Sequence, residues 1–167
     1  MKNTLPILFF SLLLLLGIHC MGQTYNIINA QAYVRTRTAG NIQTNETGAP
    51  LNKGVTKEFL IYLETKGSTL PQWETAYIDG LPYTIRTVEV TQSPVNLGPL
   101  KGQKSTVTIT KGSTNRLWQL ALTPQEPTTA RQPAGGTQAI ILSGTYRKKN
   151  INYRIAKVQE LAKRFNP

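Results

Sequence analysis

Along residues 55–90, VTKEFLIYLETKGSTLPQWETAYIDGLPYTIRTVEV, apolar and polar positions alternate with a period of two. That is the period of a β-strand lying in a sheet. Phe59, Ile61 and Leu63 alternate with Leu60, Tyr62 and Glu64. After a Lys66-Gly67-Ser68 break, a second run over 73–78 leads through Asp79-Gly80-Leu81-Pro82 into a third over 83–90. Tyr, Ile, Val, Thr and Trp dominate these runs and suit a pleated, half-buried surface. With a four-residue loop at 79–82, Ile78 opposes Tyr83 and Ala76 opposes Ile85. One face then holds Ile78, Ala76, Tyr83 and Ile85, and the other holds Trp73, Tyr77 and Val88 around Thr75, Thr84 and Arg86. Both faces are partly apolar, so periodicity alone leaves open which one is core.

The pattern continues on either side. A strand is expected over 30–38, with Tyr33, Arg35 and Arg37 on one side and the smaller Val34, Thr36 and Thr38 on the other, facing inward at an edge. Residues 39–54, rich in Gly, Asn and Thr, read as a loop, and 91–104, with two Pro and two Gly, as a crossing loop. A clean alternating strand over 105–111 turns Val107 and Ile109 inward, and 116–123 puts Trp118, Leu120 and Leu122 on one face. Residues 124–138 carry three Pro, two Gly and no large apolar side chain, and read as a long flexible loop. The last hairpin joins 139–146 to 151–158. A four-residue loop at 147–150 opposes Tyr146 with Ile151, Gly144 with Tyr153 and Leu142 with Ile155, and Ser143, Thr145, Asn152 and Arg154 fall on the other face. Residues 159–167 form a basic tail with room for one helical turn. About eight short strands with little helix predict an all-β fold: an antiparallel β-sandwich, Ig-like, with a small barrel as the alternative. The Cys…Trp…Cys spacing of antibody-type domains is absent.

The start of the chain follows another rule. Lys2 precedes a nearly unbroken apolar run over 5–18, too short to cross a bilayer as a helix, and small residues follow it. This is the pattern of a signal peptide, 1–22, cut after Gly22 to leave Gln23 at the new N-terminus. A rival reading makes Cys20 a lipid-anchored cysteine, although His19 stands where such a site wants a small residue. The expected product is a single exported β-domain, 23–167, periplasmic or extracellular, with no transmembrane segment.

Charge adds a direction. The chain has 19 Lys and Arg against 8 Asp and Glu, a formal net charge of +11. Residues 24–100 hold six basic and six acidic side chains, whereas 101–167 hold twelve basic and two acidic, Glu126 and Glu160. A one-sided basic half points to an anionic partner. Arg147, Lys148 and Lys149 at the hairpin tip, with Arg154 and Lys157 close behind, are the candidate anion-binding patch. Trp73, Tyr77 and Arg86 form a second candidate, a platform for stacking on a sugar or a base, unless the aromatics are core. The only Cys is Cys20 and the only His is His19, both within the leader. The exported domain then has no disulfide, no thiol or imidazole for nucleophilic catalysis, and none of the usual zinc, copper or iron ligands. Asp79 is the only Asp and sits in a turn, so a calcium site lacks convergent oxygens. No catalytic residue, metal or cofactor is assigned. Glu74 and Glu89, near the base of the central hairpin, are what remains for carboxylate-pair chemistry. Asn45-Glu46-Thr47 fits the N-glycosylation pattern.

Through PQWETAYIDG, RLWQLALTP and the hairpin around SGTYRKKN, with Gly22-Gln23 at the end of its leader, the chain resembles small exported proteins of Bacteroidetes without assigned function. The resemblance implies an envelope location and brings no catalytic motif. The expected function is that of a non-enzymatic binding or adaptor module of the cell envelope, its partner an anionic envelope polymer or an acidic protein. Export takes it out of reach of most nucleic acid. The alternatives are a carbohydrate-binding or carbohydrate-active protein using the aromatic face, and a structural subunit of an envelope assembly.

Overall fold

A computed structural model describes residues 25–38, 45–47, 55–125 and 139–165. The leader 1–22 with Cys20, most of the loop at 39–54 and residues 126–138 of the Pro/Gly-rich loop lie outside the described residues. The described chain is all-β: β1 (Ile27–Thr38), β2 (Val55–Lys66), β3 (Gln72–Ile78), β4 (Leu81–Glu89), β5 (Val95–Pro99), β6 (Thr106–Ile109), β7 (Asn115–Pro124), β8 (Ile140–Tyr146), β9 (Lys149–Ile155), β10 (Val158–Glu160) and β11 (Arg164–Phe165). Among the described residues no helix is long and apolar enough to cross a membrane.

One sheet runs in the order β10-β1-β2-β7-β4-β3-β8-β9, with β11 also on β1, while β5 and β6 form a separate two-stranded sheet. The sheet is mixed: β10 and β11 pair with β1 in parallel, and the remaining pairs are antiparallel. Its shape follows from connectivity. β9 and β10 stand at opposite ends of the strand order, yet only Ala156 and Lys157 separate them in sequence. Three Cα steps span at most roughly 11 Å. The sheet must therefore curl until its ends come together beside β1, and it forms a half-barrel. The layers face each other as in a sandwich, but they come from one sheet bent round on itself. The strand order holds no pair of separate sheets of the immunoglobulin kind among the described residues.

The concave side encloses the main core. Ala32, Ile61, Leu63, Leu120, Ile85, Ala76, Ile140, Leu142, Ile151 and Ile155 meet there, so nearly every strand contributes. The convex side of β1, β2 and β7 carries a second core. The β5–β6 hairpin lies over it, and Tyr33, Leu60, Tyr62, Leu97, Ile109, Leu117 and Leu161 pack in that layer. This explains why β2 is apolar on both faces: each face has its own cover.

Both hairpin registers differ from expectation by two residues. Ile78 pairs with Leu81 and Ala76 with Tyr83, and Tyr146 pairs with Lys149 and Gly144 with Ile151. The loops contain two residues rather than four. Asp79 and Gly80 have φ of 50° and 80°, and Arg147 and Lys148 have φ of 49° and 63°. Positive φ at both central positions is the type I′ geometry whose twist matches paired strands. A shift of two leaves each side chain on its expected face. The core face of the central hairpin is accordingly the one with Ile78, Ala76, Tyr83 and Ile85.

Trp73 departs from that parity. The β3–β8 register skips from Trp73, opposite Gly144, to Thr75, opposite Ser143, so Glu74 is an extra bulged residue. The bulge turns Trp73 away from the face of Tyr77 and into the main core, where it is 4% exposed. The expected helical turn in the tail is absent. Residues 158–165 instead run beside β1 as β10 and β11, with Leu161 buried under the hairpin and bridged to Leu100.

Candidate functional site

The β8–β9 hairpin carries the basic patch in two groups, Arg147, Lys148 and Lys149 at its tip and Arg154 with Lys157 at its far end, with uncharged residues 150–153 between them and Lys149 and Arg154 on opposite sheet faces. Ile151 and Ile155 point into the main core, and Asn150, Asn152 and Arg154, on the opposite face, are exposed. Arg147, Lys148, Lys149 and Lys157 are exposed as well. The row from Lys148 to Lys157 extends for about 30 Å at the rise of an extended chain. At the tip, the Arg147 guanidinium carbon stands 5.3 Å from the centroid of the Tyr146 ring, a cation–π contact that steers the charge. Near the other end, Arg154 and Lys157 flank a groove of about 410 Å³ between β9 and the start of β1, where Ile28 is exposed. β1 and β9 are not hydrogen-bonded to each other there, so the sheet has an open seam.

The other charges are arranged differently. Arg37 Nε and Nη2 donate to the two Glu58 oxygens at 2.7 and 2.6 Å, Lys101 Nζ pairs with Glu160 at 2.9 Å, and Arg116 Nη1 with Glu89 at 3.3 Å. Glu64 Oε1 accepts from the Gly112 amide and from Asn115 Nδ2. None of the five cations of the β9 row has an ion pair among the described residues.

The aromatic candidates are not brought together. Tyr77 is half-buried and Arg86 exposed on the convex face of β3 and β4, while Trp73 lies inside, its ring centroid 6.2 Å from that of Tyr153. The β3–β4 pairing runs only as far as Thr75 opposite Thr84, so Glu89, farther along β4, is not carried to Glu74. Among the described residues no three His, Cys, Asp or Glu side chains gather in a metal-binding group. The Asn45-Glu46-Thr47 segment is exposed, with the Thr47 amide and hydroxyl both donating to Asn45 Oδ1.

A third feature lies apart from both candidates. A cleft of about 540 Å³ opens between the convex face of β1–β2 and strand β5. Arg35, Arg37, Glu58 and Tyr62 form its floor, Leu97 and Pro99 belong to its hairpin wall, and Lys163 stands at its rim. Arg35 is 8% exposed. Its Nη2 donates to the Leu97 carbonyl, and its Nη1 is 4.0 Å from Glu58 Oε2. A bulge between Asn96 and Gly98 shapes the wall, and Gly98, at φ 85°, takes a left-handed conformation that admits few other residues. Burial is the first cause that pushes the Tyr62 phenol above its ordinary range, Glu58 adds to it and Arg35 opposes it. The clue in the sequence was the spacing of Arg35 and Arg37 with Tyr33, two charges sharing a strand face with an aromatic. That face read as solvent because nothing marked 95–99 as its cover. Comparison of the chain with protein-family models, with curated proteins and with solved structures finds no match, so its sites are to be read from their own chemistry.

Proposed function

We propose that this is an exported, non-enzymatic binding module of the cell envelope that holds an extended anionic polymer along β9. The observation that carries the reading is the set of Arg147, Lys148 and Lys149 at one end of β9 and Arg154 and Lys157 at the other, all exposed and none paired with a carboxylate among the described residues. Charges on a strand edge also discourage edge-to-edge pairing, and one or two suffice for that. They do not explain the tip. There two cationic L-residues occupy left-handed positions where Asn-Gly is favoured, at a cost to stability. Export is supported by Lys2, the apolar run over 5–18 and the small residue Gly22. The absence of Cys and His after Gly22 supports a role outside nucleophilic and zinc-type catalysis.

The test uses polygalacturonate as the probe and neutral dextran as the control. Lys148→Ser with Lys149→Ser should weaken polygalacturonate binding by about three- to tenfold at low salt and flatten its salt dependence, since fewer charges remain to be screened. Folding stability should change by less than about 0.5 kcal/mol. An affinity and salt slope identical to those of the parent would reject the β9 row. Export has its own readout: the intact mass of the secreted chain should begin at Gln23, and a diacylated mass beginning at Cys20 would replace the leader reading with a lipoprotein.

A further inference from the structure

We infer that the cleft between β1–β2 and β5 is a second, independent binding site, for a small organic anion that carries a carboxylate or phosphate monoester on an apolar body. The cleft's volume of about 540 Å³ falls in the range of small-molecule sites. Its floor holds a charge that the protein leaves under-neutralised. The Arg35 side chain is only 9% exposed, and burying a guanidinium is costly unless its charge and donors are met. Arg35 meets the Leu97 carbonyl through Nη2, but Glu58 stands 4.0 Å from its Nη1, beyond hydrogen-bond reach. Glu58 is already held by Arg37 through two bonds of 2.7 and 2.6 Å. One carboxylate thus serves two guanidiniums, and Lys163 adds a third cation at the rim with no further acid among the described residues that line the cleft. A guanidinium has five N–H donors in a planar fork that matches an oxyanion.

The rest of the lining sets the body of the ligand. Val95, Leu97 and Pro99 of the hairpin, with Ala162 beside them, make an apolar wall, and Leu60 adds an apolar patch to the floor between Glu58 and Tyr62. Tyr62 stands on that floor as a neutral phenol, available to donate. A bare inorganic ion leaves the apolar wall uncovered, and a neutral apolar molecule leaves Arg35 unmet. An amphipathic anion satisfies both. A purely structural Arg35, tethering β5 through Leu97, explains one of its donors, but it explains neither the cleft nor Lys163.

The experiment records backbone amide shifts of the exported domain, 23–167, during titration with phenyl phosphate, benzoate, inorganic phosphate and benzylamine. Phenyl phosphate or benzoate should saturate with shifts at Arg35, Tyr62, Leu97 and Lys163, and which of them binds tighter identifies the oxyanion. Inorganic phosphate should bind more weakly and benzylamine should not bind. Lys163→Ser should weaken the better anion by about threefold, and Arg35→Met by about tenfold or more. Glu58→Gln removes the one competing negative charge and should tighten binding by about threefold, a gain that a tether would not produce and that remains readable if Arg35→Met fails to fold. Lys148→Ser with Lys149→Ser should leave these shifts unchanged, which separates this site from the β9 row. Absence of saturable shifts into the millimolar range, equal shifts with benzylamine, or an unchanged affinity in Glu58→Gln would overturn the inference.

Discussion

Gly144 shows how much of this fold depends on single atoms. A Cβ built there would lie 2.1 Å from the Gln72 carbonyl oxygen and 2.9 Å from the Trp73 Cα, both backbone atoms that cannot swing aside. Gly144 sits opposite Trp73 at the β3 bulge, so its bare Cα lets the bulged strand approach closely enough to hold the indole in the core. Gly144→Ala should therefore cost about 1–3 kcal/mol or more and move Trp73 toward solvent. Urea unfolding followed by tryptophan emission measures both, and an alanine variant with parental stability and unshifted emission would show that the bulge does not depend on this glycine. The position of Trp73 was not legible in the sequence. Alternation assigns it to the face of Tyr77, and the extra residue that reverses it, Glu74, is an ordinary exposed side chain carrying no turn signal. The aromatic platform dissolves with that one-residue slip, whereas Arg147, Lys148 and Lys149 keep their exposed place at the hairpin tip because no bulge interrupts the β8–β9 pairing.

At the scale of elements, side-chain parity was readable except where the β3 bulge reverses Trp73, and register was not. Each hairpin closes two residues tighter than expected, which changes every partner and no face. The same turn geometry is built from Asp79-Gly80 in one hairpin and Arg147-Lys148 in the other. The second choice is the costly one, since an L-residue in the left-handed region loses roughly 1–2 kcal/mol that Gly does not. Replacing Arg147 with Asn and Lys148 with Gly should accordingly raise stability by about 1–2 kcal/mol. If the tip holds polymer, the same variant should bind polygalacturonate more weakly. A gain in stability with binding intact would show the charges to be incidental, and no gain would mean that the cation–π contact of Arg147 with Tyr146 offsets the strain. β5 escaped notice for a different reason. Its five residues include Gly98 and Pro99, which mark a loop in any count of propensity, and it forms a strand by pairing with β6 and packing Leu97 into the second core.

Closure of the sheet belongs to the whole molecule and could not be read from local pattern. The strands that achieve it, β10 and β11, have three and two residues and lie in a basic tail that lacks alternation. They form because β9 ends beside β1, where an open edge offers backbone partners to the chain that follows. The outcome is two cores sharing β1 and β2, and both contain tyrosines. Burial is the first cause that pushes the phenols of Tyr33 and Tyr62, in the second core, and of Tyr83 and Tyr153, against the main one, above the ordinary value of 10.0. Glu58 raises Tyr62 further while Arg35 acts against it, and Asp79 raises Tyr83 further. The unfolded chain releases these protons near 10.0, and the folded chain keeps them to higher pH. Above 10.0 the native state thus binds more protons than the unfolded state, and stability must fall as pH rises. The urea midpoint should be insensitive to these groups below 10.0 and decline steeply above it. Tyrosinate absorbance should lag behind that of free tyrosine and then rise together with loss of structure, as the cores open and their phenols ionise together. Tyr62→Phe should lessen the decline, because it removes a phenol that the folded state protects. Ionisation of Tyr33, Tyr62, Tyr83 and Tyr153 near 10.0 with no loss of stability would show that neither core excludes water from these phenols.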